Sequence, residues 1–246
     1  VSLLKAIARK ASAAAAGAAQ LTGLSQQLLT HTISWVSGVL VGALLVALLA
    51  VSCSKAEAAS ADVPQIPTIP TAWRLTLERH AVLHWGLHPP TALLAAQVHQ
   101  ESRWRAKARS PYAEGLTQFT PATADWIAQA YPAVGKPDPW DPHWALRAQA
   151  QYMAHLHRRN PGATSCDTWA FALAGYNGGE RWVWRDQALA LAAGRDRSRW
   201  FGHVARESRR ARWAWTENRG YVQRILKLLE PAYAAAGWAG SLECDR

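Results

Sequence analysis

No Cys-x-x-Cys pair occurs in this sequence, and its three cysteines, Cys53, Cys166 and Cys244, lie far apart. That spacing excludes a zinc ribbon and a thioredoxin-like redox motif. Cys166 and Cys244 keep two readings: a disulfide, if the C-terminal part meets an oxidising compartment, or two separate thiols. Acidic residues are scarce, with 17 Asp and Glu against 27 Lys and Arg, for a net charge of +10. Such a surface favours anionic partners. Nucleic acid, anionic lipid and acidic cell wall all qualify, and charge does not choose among them. Strand-like β-branched alternation is also rare, so the expected fold class is all-α. No internal repeat is found. His80, His84 and His88 share a helical spacing, but no carboxylate joins them at ligand spacing and Pro89 breaks the helix beside them. No metal site and no cofactor is expected from such a set.

Charge is missing altogether from most of the first fifth of the chain. After Lys5, Arg9 and Lys10, no Asp, Glu, Lys or Arg appears before Lys55. Within that gap residues 33–52 (ISWVSGVLVGALLVALLAVS) are apolar or small throughout. About 20 such residues match the thickness of a bilayer core. A secretory apolar region is usually shorter, roughly 7–15 residues. The basic residues come first, so the positive-inside tendency puts the N-terminus in the cytoplasm. The expected organisation is a cytoplasmic segment 1–32, one transmembrane helix 33–52, a linker 53–70 with three prolines, and an outward domain 71–246. Two variants stay open. One is cleavage with lipidation at Cys53, after Ala50-Val51-Ser52. The other is an ordinary cleavage near Ala58.

The outward domain remains net basic and reads as almost all helix. Thr120-Pro121 and Asp141-Pro142 each pair a capping side chain with a proline at the first helical position. Pro90 is read as opening the helix PTALLAAQVHQESRW in the same way. In that helix Leu94, Val98 and Glu101 stand at i, i+4 and i+7, on one face. A carboxyl group on an inward stripe is costly in its charged form, so its pKa rises. A Glu that keeps its proton near neutral pH is able to donate it to a leaving group. Periodicity alone leaves the other reading open, in which the helix simply ends at Glu101 in water or beside Arg103 or Arg105.

Three motifs in order make the carboxyl more specific. They are Glu101-Ser102 with Ser110 and Gly115-Leu116-x-Gln118-x-x-Pro121-x-Thr123, then Gly175-Tyr176-Asn177-x-Gly179, then Glu217-x-x-x-Tyr221-Val222. Together they resemble the signatures of the lytic transglycosylases of the soluble type, over about residues 73–232. Departures are Thr117 where the family has Met, Tyr112-Ala113 where it has Gly-Ala, Gly175 where it has Ala, and Asn218 where it has Thr.

The resemblance implies an all-α, lysozyme-like domain behind the single N-terminal transmembrane helix. It implies cleavage of the β-1,4 bond between N-acetylmuramic acid and N-acetylglucosamine in peptidoglycan, leaving a 1,6-anhydro sugar. Glu101 would be the catalytic acid and base, while the substrate's 2-acetamido group stabilises the cationic centre. Ser110, Gln118, Tyr176, Asn177, Glu217 and Tyr221 would be the substrate-binding set, each also open to a purely structural role. The partners implied are peptidoglycan glycan strands, the inner membrane through the anchor, and a phage, conjugation or secretion assembly as the machine served. The domain would then sit in the periplasm. A goose-type muramidase, a non-catalytic wall-binding module and a membrane-anchored nucleic-acid binder are the rivals. The run 206–219 (RESRRARWAWTENR) motivates the last, but an outward-facing domain argues for no nucleic-acid partner. Among the 14 Trp, Trp104 is singled out for its closeness to Glu101, as a sugar platform or as core.

Overall fold

The computed structural model describes residues 64–244, within the unit Val63–Arg246. The expected segment 1–32, the span 33–52 and Cys53 lie outside the described residues. Among those described, no helix is long and apolar enough to cross a membrane.

The described unit is helical. Its helices are α1 (Thr71–Trp85), α2 (Thr91–Ser102), α3 (Pro121–Ala130), α4 (Pro142–Arg159), α5 (Ser165–Gly178), α6 (Glu180–Ala192), α7 (Arg212–Arg224) and α8 (Glu230–Ala235). Among the described residues there is no strand. The extended pairing consists of isolated bridges, Arg109 with Glu114 and Glu114 with Phe119.

The sequence TALLAAQV makes α2 apolar on nearly all sides apart from Thr91 and Gln97, and such a helix is stable only inside a core. Every residue from Ala92 to Val98 is at most 1% exposed. Helices α1 and α8 and the segment Ile225–Leu229 enclose it; α1 also runs along α4, and α5 joins α4 to α6 and α7. The central helix thus carries Glu101 outward from the middle of this unit.

Local chemistry fixes the ends. Thr120 Oγ1 accepts from the Thr123 amide at 3.1 Å, and Pro121 is the first residue of α3. Asp141 accepts from the amides of His143 and Trp144, and Pro142 begins α4. Pro90 differs from its expected place. It precedes α2 as the cap, and Thr91 is the first helical residue. Between α7 and α8 the ladder widens into a π segment, Ile225–Leu229. Pro231 accounts for this, because it has no N–H to return to the carbonyl four residues earlier.

Cys166 and Cys244 are bonded, with Cα atoms 4.6 Å apart. Ser165 also donates to Glu243, and Lys227 Nζ donates to the Cys244 carbonyl at 2.9 Å. The C-terminal stretch is therefore held against the start of α5. The basic run is partly internal. Arg219 pairs with Asp186 at 2.7 Å and also donates to the carbonyls of Val204, Ala205 and Glu207. Its guanidinium lies over the Trp200 ring, 4.8 Å from the centroid.

Candidate active site

Glu101 sits one residue from the end of α2. The helix stops at Arg103, which takes left-handed φ 53°, and Trp104 follows at φ 62°. Gln118, at φ 51°, is the remaining non-glycine residue with positive φ among those described. L-residues rarely adopt this region, and such strain gathers at functional sites. Here Gln118 lines a cleft, and Arg103 and Trp104 directly follow the helix end that brings Glu101 to it.

That cleft has a volume of about 350 Å³ and is lined by Glu101, Ser110, Gln118, Tyr176, Asn177 and Glu217, with Tyr112, Phe119, Thr123 and Tyr152 among the other walls. Six of the seven residues singled out from sequence therefore face one space. The seventh, Tyr221, is 3% exposed and lies beneath it. Its hydroxyl donates to Glu101 Oε1 at 2.5 Å.

The electrostatics follow from that burial. Removal from water pushes the Glu101 carboxyl up to about 8. The Tyr221 hydrogen bond opposes the shift, and the negative charge of Glu217 adds to it. At neutral pH the group is mostly protonated. Burial likewise holds the hydroxyls of Tyr176 and Tyr221 well above the ordinary tyrosine value, so both remain hydrogen-bond donors. The Tyr176 hydroxyl donates a hydrogen bond to the Thr117 carbonyl at 2.8 Å.

Several walls are built by turns. Ser110 Oγ accepts from the Ala113 amide at 3.0 Å and donates to the Ala113 carbonyl at 3.3 Å. The Gln118 amide group donates to the carbonyls of Ala108 and Gly115. Both side chains therefore shape the loop 103–120 as well as lining the cleft. Gly115 lies at φ +75°, where a Cβ would meet the Pro139 carbonyl oxygen at 1.7 Å. No other residue fits there. On the opposite wall Asn177 Nδ2 donates to Glu217 Oε1 at 3.4 Å, and Asn218 Nδ2 donates to Asn177 Oδ1 at 2.9 Å.

Sequence reasoning missed part of this. Asn218 appeared only as a departure from a motif, yet it is 1% exposed and also donates to the Ala174 carbonyl, tying α7 to α5. Gln97 and Gln149, both fully buried, escaped notice. Gln97 had a signal: it stands four residues before Glu101 on the same helical face. Trp104 belongs to the core. It is 5% exposed and donates to Tyr233 Oη at 2.6 Å, so the sugar-platform reading of this residue is withdrawn. Thr117 is fully buried, so its side chain does not line the cleft.

A helical domain whose central helix delivers one raised carboxyl to the floor of an aromatic-walled cleft is of the lysozyme-like class. Residues 83–198 of the chain match the Transglycosylase SLT domain. Among its relatives is membrane-bound lytic murein transglycosylase F 2 of Alkalilimnicola ehrlichii, 35% identical over 113 residues, which are 45% of this chain and 24% of the relative. Membrane-bound lytic murein transglycosylase F of Maricaulis maris is 37% identical over 110 residues, 44% of this chain and 23% of the relative. The matched stretch thus spans about a quarter of the length of these relatives. The fold is shared with the 70 kDa soluble lytic transglycosylase of Escherichia coli. The TM-score is 0.52 at 24% identity, covering 72% of this chain and 26% of that one.

Proposed function

We propose that this chain is a peptidoglycan lytic transglycosylase with Glu101 as its one proton-handling group. The observation that carries the reading is a carboxyl raised to about 8 at the floor of a cleft beside Glu217 and Tyr221. In the first step Glu101 gives its proton to the glycosidic oxygen, and the bond from that oxygen to C1 of the N-acetylmuramic acid breaks. In the second, the same sugar's 6-hydroxyl oxygen bonds to C1, and its proton returns to the Glu101 carboxylate. No water is consumed, and the product is a 1,6-anhydro sugar. Acid–base help of this kind is worth roughly 10²–10⁴-fold. Names of the relatives that refer to murein support the substrate.

The binding roles follow from the walls. Ser110 and Gln118 hold the loop against the sugar, Tyr176 and Asn177 form the opposite side, and Glu217 keeps a negative charge near the cationic centre. Tyr221 orients the acid.

Residues 33–52 are a single inner-membrane span in this reading, with the domain in the periplasm. Support comes from the charge-free run, the bonded cysteines, which belong in an oxidising compartment, and the relatives' being named membrane-bound.

The test is Glu101→Gln in the full chain. Release of soluble products from purified peptidoglycan should fall at least a hundredfold, in line with the size of acid–base effects. Clearing at the wild-type rate would remove Glu101 from the mechanism. For the anchor, protease added to spheroplasts should digest the domain while residues 1–32 stay protected.

A further inference from the structure

We propose that Gln97, itself oriented by Gln149, is a positioning residue that acts through Tyr221 to fix which oxygen of the Glu101 carboxyl carries the acid proton. This rests on the reading of Glu101 as the acid.

The orientation begins at the main chain. Gln149 of α4 donates through Nε2 to the Leu94 carbonyl at 3.0 Å and to Gln97 Oε1 at 2.7 Å. A main-chain carbonyl only accepts, so the Gln149 amide cannot be turned over without breaking that bond. Its second hydrogen claims the Gln97 oxygen. The Gln97 NH₂ group must then face the other way, toward Tyr221 Oη at 3.1 Å and Met153 Sδ at 3.4 Å. Tyr221 Oη accepts there, and its single proton is left for Glu101 Oε1 at 2.5 Å. Oε1 accepts in either protonation state. The carbonyl oxygen of a protonated carboxyl is its stronger acceptor, so the Tyr221 bond favours Oε1 as that carbonyl and the acid proton on Oε2.

The cost of this arrangement argues for a use. Two fully buried amides sit in a core where apolar side chains would serve, and Gln149 Oε1 has no hydrogen-bond partner. Buried polar groups destabilise unless fully paired. Direction is what the relay gains. Without it the Tyr221 hydroxyl is free to turn and accept from protonated Glu101, which would send the acid proton into the core instead of the cleft. The other titratable groups facing Glu101 are Glu217 from α7 and Tyr176 from α5, with Tyr152 of α4 behind Tyr176. None of them reproduces the Gln97 donor.

The test compares the full chain with Gln97→Met/Gln149→Met, which replaces both amides by apolar groups of similar volume, a change that is nearly neutral for stability. On purified peptidoglycan strands kcat should fall roughly tenfold to a hundredfold with KM unchanged, in the range set by misdirected catalytic groups. The upper limb of the pH–rate profile should move to higher pH, because protonated Glu101 gains Tyr221 as an acceptor. Wild-type kcat with an unmoved limb would overturn the relay, whatever the melting temperature. Should the double variant not fold, Gln149→Met alone carries the test. It frees the Gln97 amide to turn over, so a smaller loss with the same shift is expected, and an unmoved limb rejects the proposal. Glu101→Gln run alongside separates the two ideas. If it stays active, the reading of the site is wrong. If it is dead while both methionine variants keep wild-type kcat and limb, only the relay is wrong.

Discussion

A carboxyl group keeps its proton at neutral pH when water is withheld and no cation compensates, and Glu101 meets both conditions. Burial and the neighbouring Glu217 charge together raise it to about 8, against the opposing hydrogen bond from Tyr221. Activity that needs the protonated form should fall as pH climbs through about 8. Glu217→Gln removes the neighbouring charge, so that limb should move to lower pH in a pH–rate profile. Stability carries the same signature with a definite sign. The folded pKa stands above the ordinary 4.5, so Glu101 favours the fold below about 4.5, and that advantage is lost as pH rises through about 8. Glu101→Gln escapes the loss. Its unfolding free energy should exceed the wild-type value by about 1–2 kcal/mol above pH 8, after discounting for solvent at the cleft, and the gap should close toward acid pH. Thermal melts across pH check this.

At the scale of elements, the parts legible in sequence were those governed by neighbours in the chain. Thr120-Pro121 and Asp141-Pro142 marked the starts of α3 and α4 because a cap and its amides lie within three residues. The i, i+4, i+7 spacing of Leu94, Val98 and Glu101 put the carboxyl on the right face of α2. What depended on distance in space stayed hidden. Gln149 meets Gln97 across 52 positions, and no local pattern announces it. The π segment Ile225–Leu229 stayed hidden as well, although Pro231 held its cause. Six site residues chosen from motifs line one cleft, while the turn chemistry of Ser110 and Gln118 needed coordinates. The loop that carries them hinges on Gly115, whose missing Cβ leaves room for the Pro139 carbonyl. Gly115→Ala should cost about 2–4 kcal/mol from positive φ and overlap together, with activity lost as the loop is displaced. Chemical denaturation and an activity assay read both.

Over the described unit, a central apolar helix carries the acid, and α3, α4, α5 and α7 contribute walls of the cleft. The Cys166–Cys244 bond links positions 78 apart and holds the C-terminal stretch on α5. Closing so long a loop restricts the unfolded chain, so Cys166→Ser/Cys244→Ser should lower stability by about 2–4 kcal/mol. Neither cysteine lines the cleft, so activity at low temperature should survive. The most direct measurement of the central claim is mass spectrometry of the fragments released from purified peptidoglycan by the full chain. Fragments ending in 1,6-anhydro-N-acetylmuramic acid, and their disappearance with Glu101→Gln, are the expected result. Fragments with ordinary reducing ends, one water heavier, would contradict it.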